Sequence, residues 1–241
     1  MSYDLGHLSA PITLADQAYS TLRAAIVAGE LKQGAKLTDR GLADSLAVSP
    51  TPIREAIRRL EQDRLVERTG PRSVRVAIYS HDERAEIAQA ADSLKAVLAR
   101  IAATKITEAE LDDLAQCLEA ADTEREFLYN QIAEQGRTAE VVRASAAKLI
   151  ALLREFHATI NRASRNDILL HVLHTVEAFG VDTRQKALQE QIARDGSGPQ
   201  GRYHQHRQIL EALRAHDPDR VESLMLAHSH GASIDLLSLT T

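Results

Sequence analysis

At 241 residues the chain exceeds a typical single domain, and 44% hydrophobic residues are enough for a sizeable core. With 26% charged residues and no long uncharged apolar run, a membrane-spanning role is excluded, and Met1 to Pro11 lacks the basic-then-apolar pattern of a secretory signal. Cys117 is the single cysteine, so an intrachain disulfide framework is excluded and a reducing, cytoplasmic setting is expected.

The net charge of −5 is unevenly spread: 11 Lys/Arg stand against 9 Asp/Glu up to Ile78, and 18 against 25 from Tyr79 onward. The smaller part therefore tolerates a polyanion better than the larger. In chain order, Leu14, Ala18, Leu22 and Ile26 recur every four residues and predict a helix with Thr13 as its N-cap and Gly29 as its terminator. Leu31 to Leu37 reads as a turn and a short extended piece, and Asp39 to Ala47 as a short helix with Leu42 and Leu46 inside. Val48-Ser49-Pro50 is a tight turn, with Ser49 or Thr51 capping the helix that follows. That helix places Ile53, Ala56, Ile57 and Leu60 on one face. Val66-Glu67-Arg68 and Ser73 to Val76 alternate apolar and polar around Thr69-Gly70-Pro71-Arg72, the pattern of a hairpin. Helix, two short helices, then hairpin is the order of a winged helix-turn-helix.

After a boundary near Ile78 to His81 no strand is expected, only helices at about 82–104, 107–135, 138–164, 166–194, 202–216 and 218–238. Asp195 to Gly201 is the clearest break among them. The fold is thus mainly α: a winged helix-turn-helix domain over 1–78 and an all-α helical bundle over 79–241.

A helix that reads DNA needs one face packed in its own domain and another offering donors to base edges and phosphates. The apolar face 53/56/57/60 leaves Arg54 and Arg58 together on one side, with Arg59 also off the core face. Ser49 and Thr51 in the turn, and Arg40 at the start of the preceding helix, can donate to phosphates, and arginine suits bidentate contact with guanine. Leu42 to Leu60 (LADSLAVSPTPIREAIRRL) resembles the signature of the GntR family of winged-helix repressors, and the resemblance runs from about Leu14 to Val76. It implies that Arg40, Ser49, Thr51 and Arg54 contact operator DNA, with the wing around Gly70 and Arg72 reaching the minor groove. Pro50 replaces an arginine found in one variant of the motif, so no operator sequence carries over.

Ten histidines are distributed along the chain, and three separate helices each turn one inward. His157 shares a face with Ile150, Leu153 and Ile160; His206 lies with Ile209, Leu210 and Leu213; His228 follows Val221, Leu224 and Met225. His204 and His230 point away, and His171 and His174 form a possible pair on one helix. Buried neutral imidazoles need partners, and one Zn²⁺ or similar divalent ion supplies a partner for all three. The segments around Phe156-His157, His206 to Leu210 and Met225 to His228 are similar to the FCD effector domain of FadR-type GntR regulators, in its six-helix, vanillate-repressor-like version. The resemblance implies a divalent metal on His157, His206 and His228 that helps hold a small carboxylate effector. Two positions depart: the family's metal-binding aspartate falls at Leu153, and its effector-binding arginine at Ala91, with Lys95 nearby where an acid is usual. Either a three-histidine site with an open position or a weakened site follows, with an effector less acidic than usual or anchored by another base such as Arg100 or Arg154.

The expected function is a homodimeric, sequence-specific transcription regulator, a repressor that binds a short palindromic operator in double-stranded DNA and responds to an organic acid. A helical metallo-hydrolase or lyase on the same histidines is a second reading, without a His-Glu-x-x-His motif to support it. A constitutive dimeric DNA-binding protein without an effector is a third.

Overall fold

A computed structural model describes residues 12–135, 139–177 and 200–238 of the chain. It divides into two compact units, Met1–Tyr79 and Ser80–Thr241.

The first unit opens with α1 (Leu14–Val27), which begins where it does because Thr13 and Asp16 form a reciprocal capping box. The four-residue spacing overshoots its buried face. Leu14 is 56% exposed, and Ala15, Ala18 and Leu22 are the residues inside, because steps of four outrun a 3.6-residue turn. A short strand β1 (Lys36–Thr38) leads into α2 (Asp39–Leu46), whose N-cap is Thr38. Ala47 ends α2 in the left-handed conformation at φ 53°, its N–H bonded back into the last turn. The chain then enters α3 (Pro50–Gln62) through Ser49, with Pro at the first helical positions. As the spacing predicts, Ile53, Ala56, Ile57 and Leu60 are all buried.

The hairpin is β2 (Val66–Gly70) with β3 (Ser73–Val76), antiparallel, with an irregularity between Arg68 and Gly70. The extended piece at Leu37 proves to be a third strand: β1 pairs with β3 through Lys36↔Arg75, Leu37↔Val74 and Thr38↔Ser73, giving the order β1-β3-β2. The strand that precedes α2 is thereby fixed to the wing that follows α3.

In the second unit every described element is a helix: α4 (His81–Ala103), α5 (Glu108–Gln135), α6 (Ala139–Ala163), α7 (Asp167–Glu177), α8 (Gln200–Arg214) and α9 (Pro218–Ser238). Side-chain caps mark the starts: Ser80 with Glu83, Thr107 with Glu110, Asn166, and Asp217. The predicted ends of α4, α5, α6, α8 and α9 fall within about two residues of these. Residues 178–194 of the fourth predicted helix, and 195–199 of the predicted break, lie outside the described residues; Gln200 and Gly201 belong to α8.

The core of this unit gathers Ala96, Ala99, Ala102 and Ala103 of α4 against Leu111, Leu114 and Leu118 of α5, Phe156 and Ile160 of α6, Ile209 and Leu213 of α8, and Val221 and Met225 of α9. Four small residues on one stripe allow α4 a close approach to its neighbours. Its other face, Ala91 and Leu98, packs on Leu173 of α7.

Candidate functional site

Each unit carries one candidate site. In the first, α3 presents Arg54 and Arg58 to solvent opposite its buried face, and Arg40, Ser49, Thr51 and Arg72 are exposed as well. Among the described residues, Arg40, Arg58 and Arg72 make no ion pair. Ser49, not Thr51, holds the N-cap position, yet its hydroxyl makes no capping bond. That hydroxyl is left available to another acceptor.

Arg54 is held in a way that spacing does not reveal. Its Nε donates to the Asp39 carboxylate at 3.1 Å, while the side chain stays 58% exposed and that of Asp39 only 9%. Among the described residues the two Nη groups of Arg54 have no hydrogen-bond partner, and such a pair suits bidentate contact with guanine or phosphate. Asp39 also donates its backbone N–H to the Arg72 carbonyl at 3.3 Å. One residue thus ties the start of α2, the exposed face of α3 and the tip of the wing. A Cβ on Gly70 would meet Ser73 Oγ at 2.9 Å, so the wing turn closes tightly at this glycine.

Arg59 has a different task. Its guanidinium lies 2.6 Å from Asp16 and 4.2 Å from the Tyr19 ring centroid, and Tyr19 donates its hydroxyl to Asp63. These contacts lock α1 onto α3. The Thr13 hydrogen bonds, helped by Arg59, hold the Asp16 carboxyl down from its ordinary 3.8 to about 2. Burial, then Asp63, raises the Tyr19 phenol above its ordinary value.

In the second unit the three inward histidines meet. His157 Nε2 lies 3.2 Å from His206 Nε2 and 3.3 Å from His228 Nε2, and all three ligand atoms fall within 4.8 Å of one another. His206 and His228 are buried and His157 half-buried. Phe156 stands edge-on to His157 and His206, with centroids 5.6 and 5.3 Å away, and fixes their rings. His228 Nδ1 donates to Gln205 Oε1 at 3.0 Å, which puts the proton on Nδ1 and turns the Nε2 lone pair toward the other rings.

This arrangement fits a divalent transition ion. Ligands at Zn–N distances near 2.0–2.1 Å in tetrahedral geometry lie about 3.3 Å from one another, the spacing of His157 from the other two. Three neutral imidazoles packed through their lone pairs repel unless protonated or bridged, and one ion satisfies all three.

The rest of the predicted set separates. His171, His174, His204 and His230 are exposed and outside the trio, and His216 donates to the Ala103 carbonyl at 2.8 Å. Leu153 packs into the core beside the histidines and offers no ligand. Ala91 is buried against α7. Of the two bases suggested as effector anchors, Arg100 pairs with Asp219 and Glu222 of α9, and Arg154 is exposed. Lys95, at the position of the usual acid, is claimed by Glu177 at 2.9 Å.

Comparison with known proteins agrees with both halves. Residues 14–76 match the profile "Bacterial regulatory proteins, gntR family", and residues 86–231 match the FCD domain. The chain is 26% identical over 217 residues to the HTH-type transcriptional regulator LutR of Bacillus subtilis (strain 168), covering 83% of this chain and 90% of LutR. It is also 26% identical over 218 residues to a D-xylose utilization operon transcriptional repressor of Paenarthrobacter nicotinovorans, covering 90% and 85%. Among solved structures, E. coli McbR/YncC has the same fold with a TM-score of 0.71 at 20% identity, over 95% of this chain and 99% of that one. A GntR regulator from Rhodococcus sp. RHA1 follows with a TM-score of 0.61 at 18% identity, over 93% and 97%. These relatives are regulators of transcription, and no described helix is long and apolar enough to cross a membrane. The chain belongs to the GntR family of bacterial regulatory proteins: a DNA-binding transcription regulator with an N-terminal winged helix-turn-helix and a helical, effector-binding FCD domain.

Proposed function

We propose that residues 1–78 read DNA and 79–241 dimerise and bind a metal-anchored effector in a cytoplasmic homodimeric repressor. The observation that carries the effector half is the meeting of three imidazoles from three separate helices, with His157 Nε2 3.2 and 3.3 Å from the other two and all ligand atoms within 4.8 Å of one another. His157, His206 and His228 hold one divalent ion there, and its open coordination position takes a small organic acid. The ion supplies charge and a binding direction for that acid; Gln205 fixes the His228 tautomer and Phe156 the ring planes.

In the reading half, Arg54 and Arg58 enter the major groove, Arg40, Ser49 and Thr51 grip phosphates, and the wing at Gly70 and Arg72 reaches the minor groove. The free Arg54 fork and the uncommitted Ser49 hydroxyl support this division of labour. Two heads related by a two-fold axis require an inverted repeat with half-sites about one helical turn apart. The effector changes operator affinity only by as much as it prefers one arrangement of the heads.

The test is selection of duplexes from a random library by the metal-loaded protein, followed by competition with a panel of small organic acids. An enriched inverted repeat released by at least one acid is the expected result. Enrichment of no repeat removes the dimeric reader, and a repeat that no acid releases leaves a constitutive DNA-binding protein.

A further inference from the structure

The second unit contains a buried carboxyl that the family resemblance does not account for. Asp92 of α4 is 1% exposed, and among the described residues neither of its oxygens has a hydrogen-bond partner. A carboxyl buried without a partner is costly to ionise, and a nearby ligand or ion relieves that cost. The nearest cation along α4, Lys95, is already engaged by Glu177.

Register places Asp92 in the layer of the histidines. Arg100 of α4 is clamped to Asp219 and Glu222 at the start of α9, and α9 runs back along α4, its most extensive helix partner. From that clamp, Asp92 is eight residues toward the start of α4, a rise of about 12 Å, and His228 is six to nine residues along α9, a rise of about 9–13 Å. Asp92 also lies on the stripe of Ala96, Ala99 and Ala103, which faces the core containing Phe156 and Met225. Among the described residues, the buried ones on the α9 side of this layer are His228, Ser229 and Ser233, none of them a fixed cation. Asp92 is not among the residues whose ligand atoms converge within 4.8 Å, so it does not complete the trio directly.

An incomplete ligand set and an unpartnered carboxyl thus share one layer. Three neutral imidazoles leave a divalent ion without an anionic ligand, because Leu153 offers none. Asp92 has two oxygens without a hydrogen-bond partner among the described residues. We propose that Asp92 is the positioning residue that supports the metal centre: from α4 it supplies the carboxyl that α6 lacks, outside the ion's direct ligands. This inference rests on the metal reading above, and it assigns a role to a residue that reading leaves unused.

The experiment measures the affinity of the full-length protein for Zn²⁺ and Ni²⁺ by chelator competition, for the wild type, Asp92→Asn and His157→Ala, with metal-free melting temperatures recorded alongside. Asp92→Asn is expected to weaken metal binding about tenfold to a hundredfold, the usual consequence of losing an outer partner. Its metal-free melting temperature stays level, because an unpartnered carboxyl is exchanged for an amide of the same shape, a pattern that general damage to the fold does not produce. Metal affinity within threefold of wild type, or a loss accompanied by a lower metal-free melting temperature, overturns the role of Asp92. A wild type that binds no metal, indistinguishable from His157→Ala, removes the metal reading itself and this inference with it.

Discussion

The two units differ in the polar groups they bury. In the winged unit the carboxylates are spent on arginines across element boundaries: Asp39 on Arg54, Asp16 on Arg59, Glu61 on Arg68 and Glu67 on Arg75. These pairs are largely solvent-exposed, so each adds little stability, and their use is to aim side chains. In the helical unit the grouped side chains lie in an apolar layer: two buried imidazoles, a half-buried one, a buried carboxyl and the aromatic ring that braces them. Exposed charges suit a polyanion, whereas buried polar groups suit a ligand that satisfies them. On the proposed reading, the chain places its DNA contacts where water reaches and its effector site where water mostly does not.

That contrast is most exposed to a change in the buried layer. Phe156→Ala is expected to destabilise the helical unit by about 3–5 kcal/mol, because it empties a fully buried site and frees two of the three rings. Denaturant unfolding followed by circular dichroism reads it, and a loss below about 1 kcal/mol would mean that the imidazole layer stands without its brace. A smaller effect is expected in the head. Asp39→Asn releases Arg54 from its tether and lowers operator affinity about threefold to tenfold, on the scale of a partly exposed ion pair, with little change for random DNA. Equal affinity for the operator, measured by fluorescence anisotropy, would show that Arg54 needs no positioning.

The smallest effect concerns acid. Asp16 titrates in the folded head near 2, below its ordinary 3.8, so its contribution is complete above that ordinary value and is lost as pH falls toward 2. Asp16→Asn should therefore flatten the part of the acid-unfolding curve between about pH 4 and 2 and lower the plateau above it. Superimposable curves for wild type and variant would remove the capping box and the Arg59 pair from the head's stability.

The two units also differ in how far they were legible beforehand. The winged unit is built from neighbours in sequence: a cap, a turn, a Pro-started helix with Ile53, Ala56, Ile57 and Leu60 inside, and an alternating hairpin. Local rules reach all of these, and they fail only where a partner comes from afar. Leu37 joins the sheet through Val74, and Asp39 meets Arg54 across 15 positions, with no local signal for either. In the helical unit, periodicity correctly turns His157, His206 and His228 inward. It cannot say that residues 49 and 71 positions apart share one point, which the packing of α6, α8 and α9 decides. Arg100 illustrates the converse error, a base suggested as an effector anchor but engaged in a helix clamp. Asp92 had a signal that went unread: an acid on the same stripe as Ala96, Ala99 and Ala103 breaks an otherwise apolar face.

The comparison rests finally on the exposed side of α3 meeting a duplex. The direct measurement is the affinity of Arg54→Ala for the selected operator at physiological salt, beside its affinity for random DNA and its melting temperature. Operator binding should fall about tenfold to a hundredfold, the worth of one bidentate base contact, with stability unchanged and random-DNA binding little altered. Operator affinity equal to that of the wild type would contradict the assignment of α3 as the helix that reads DNA.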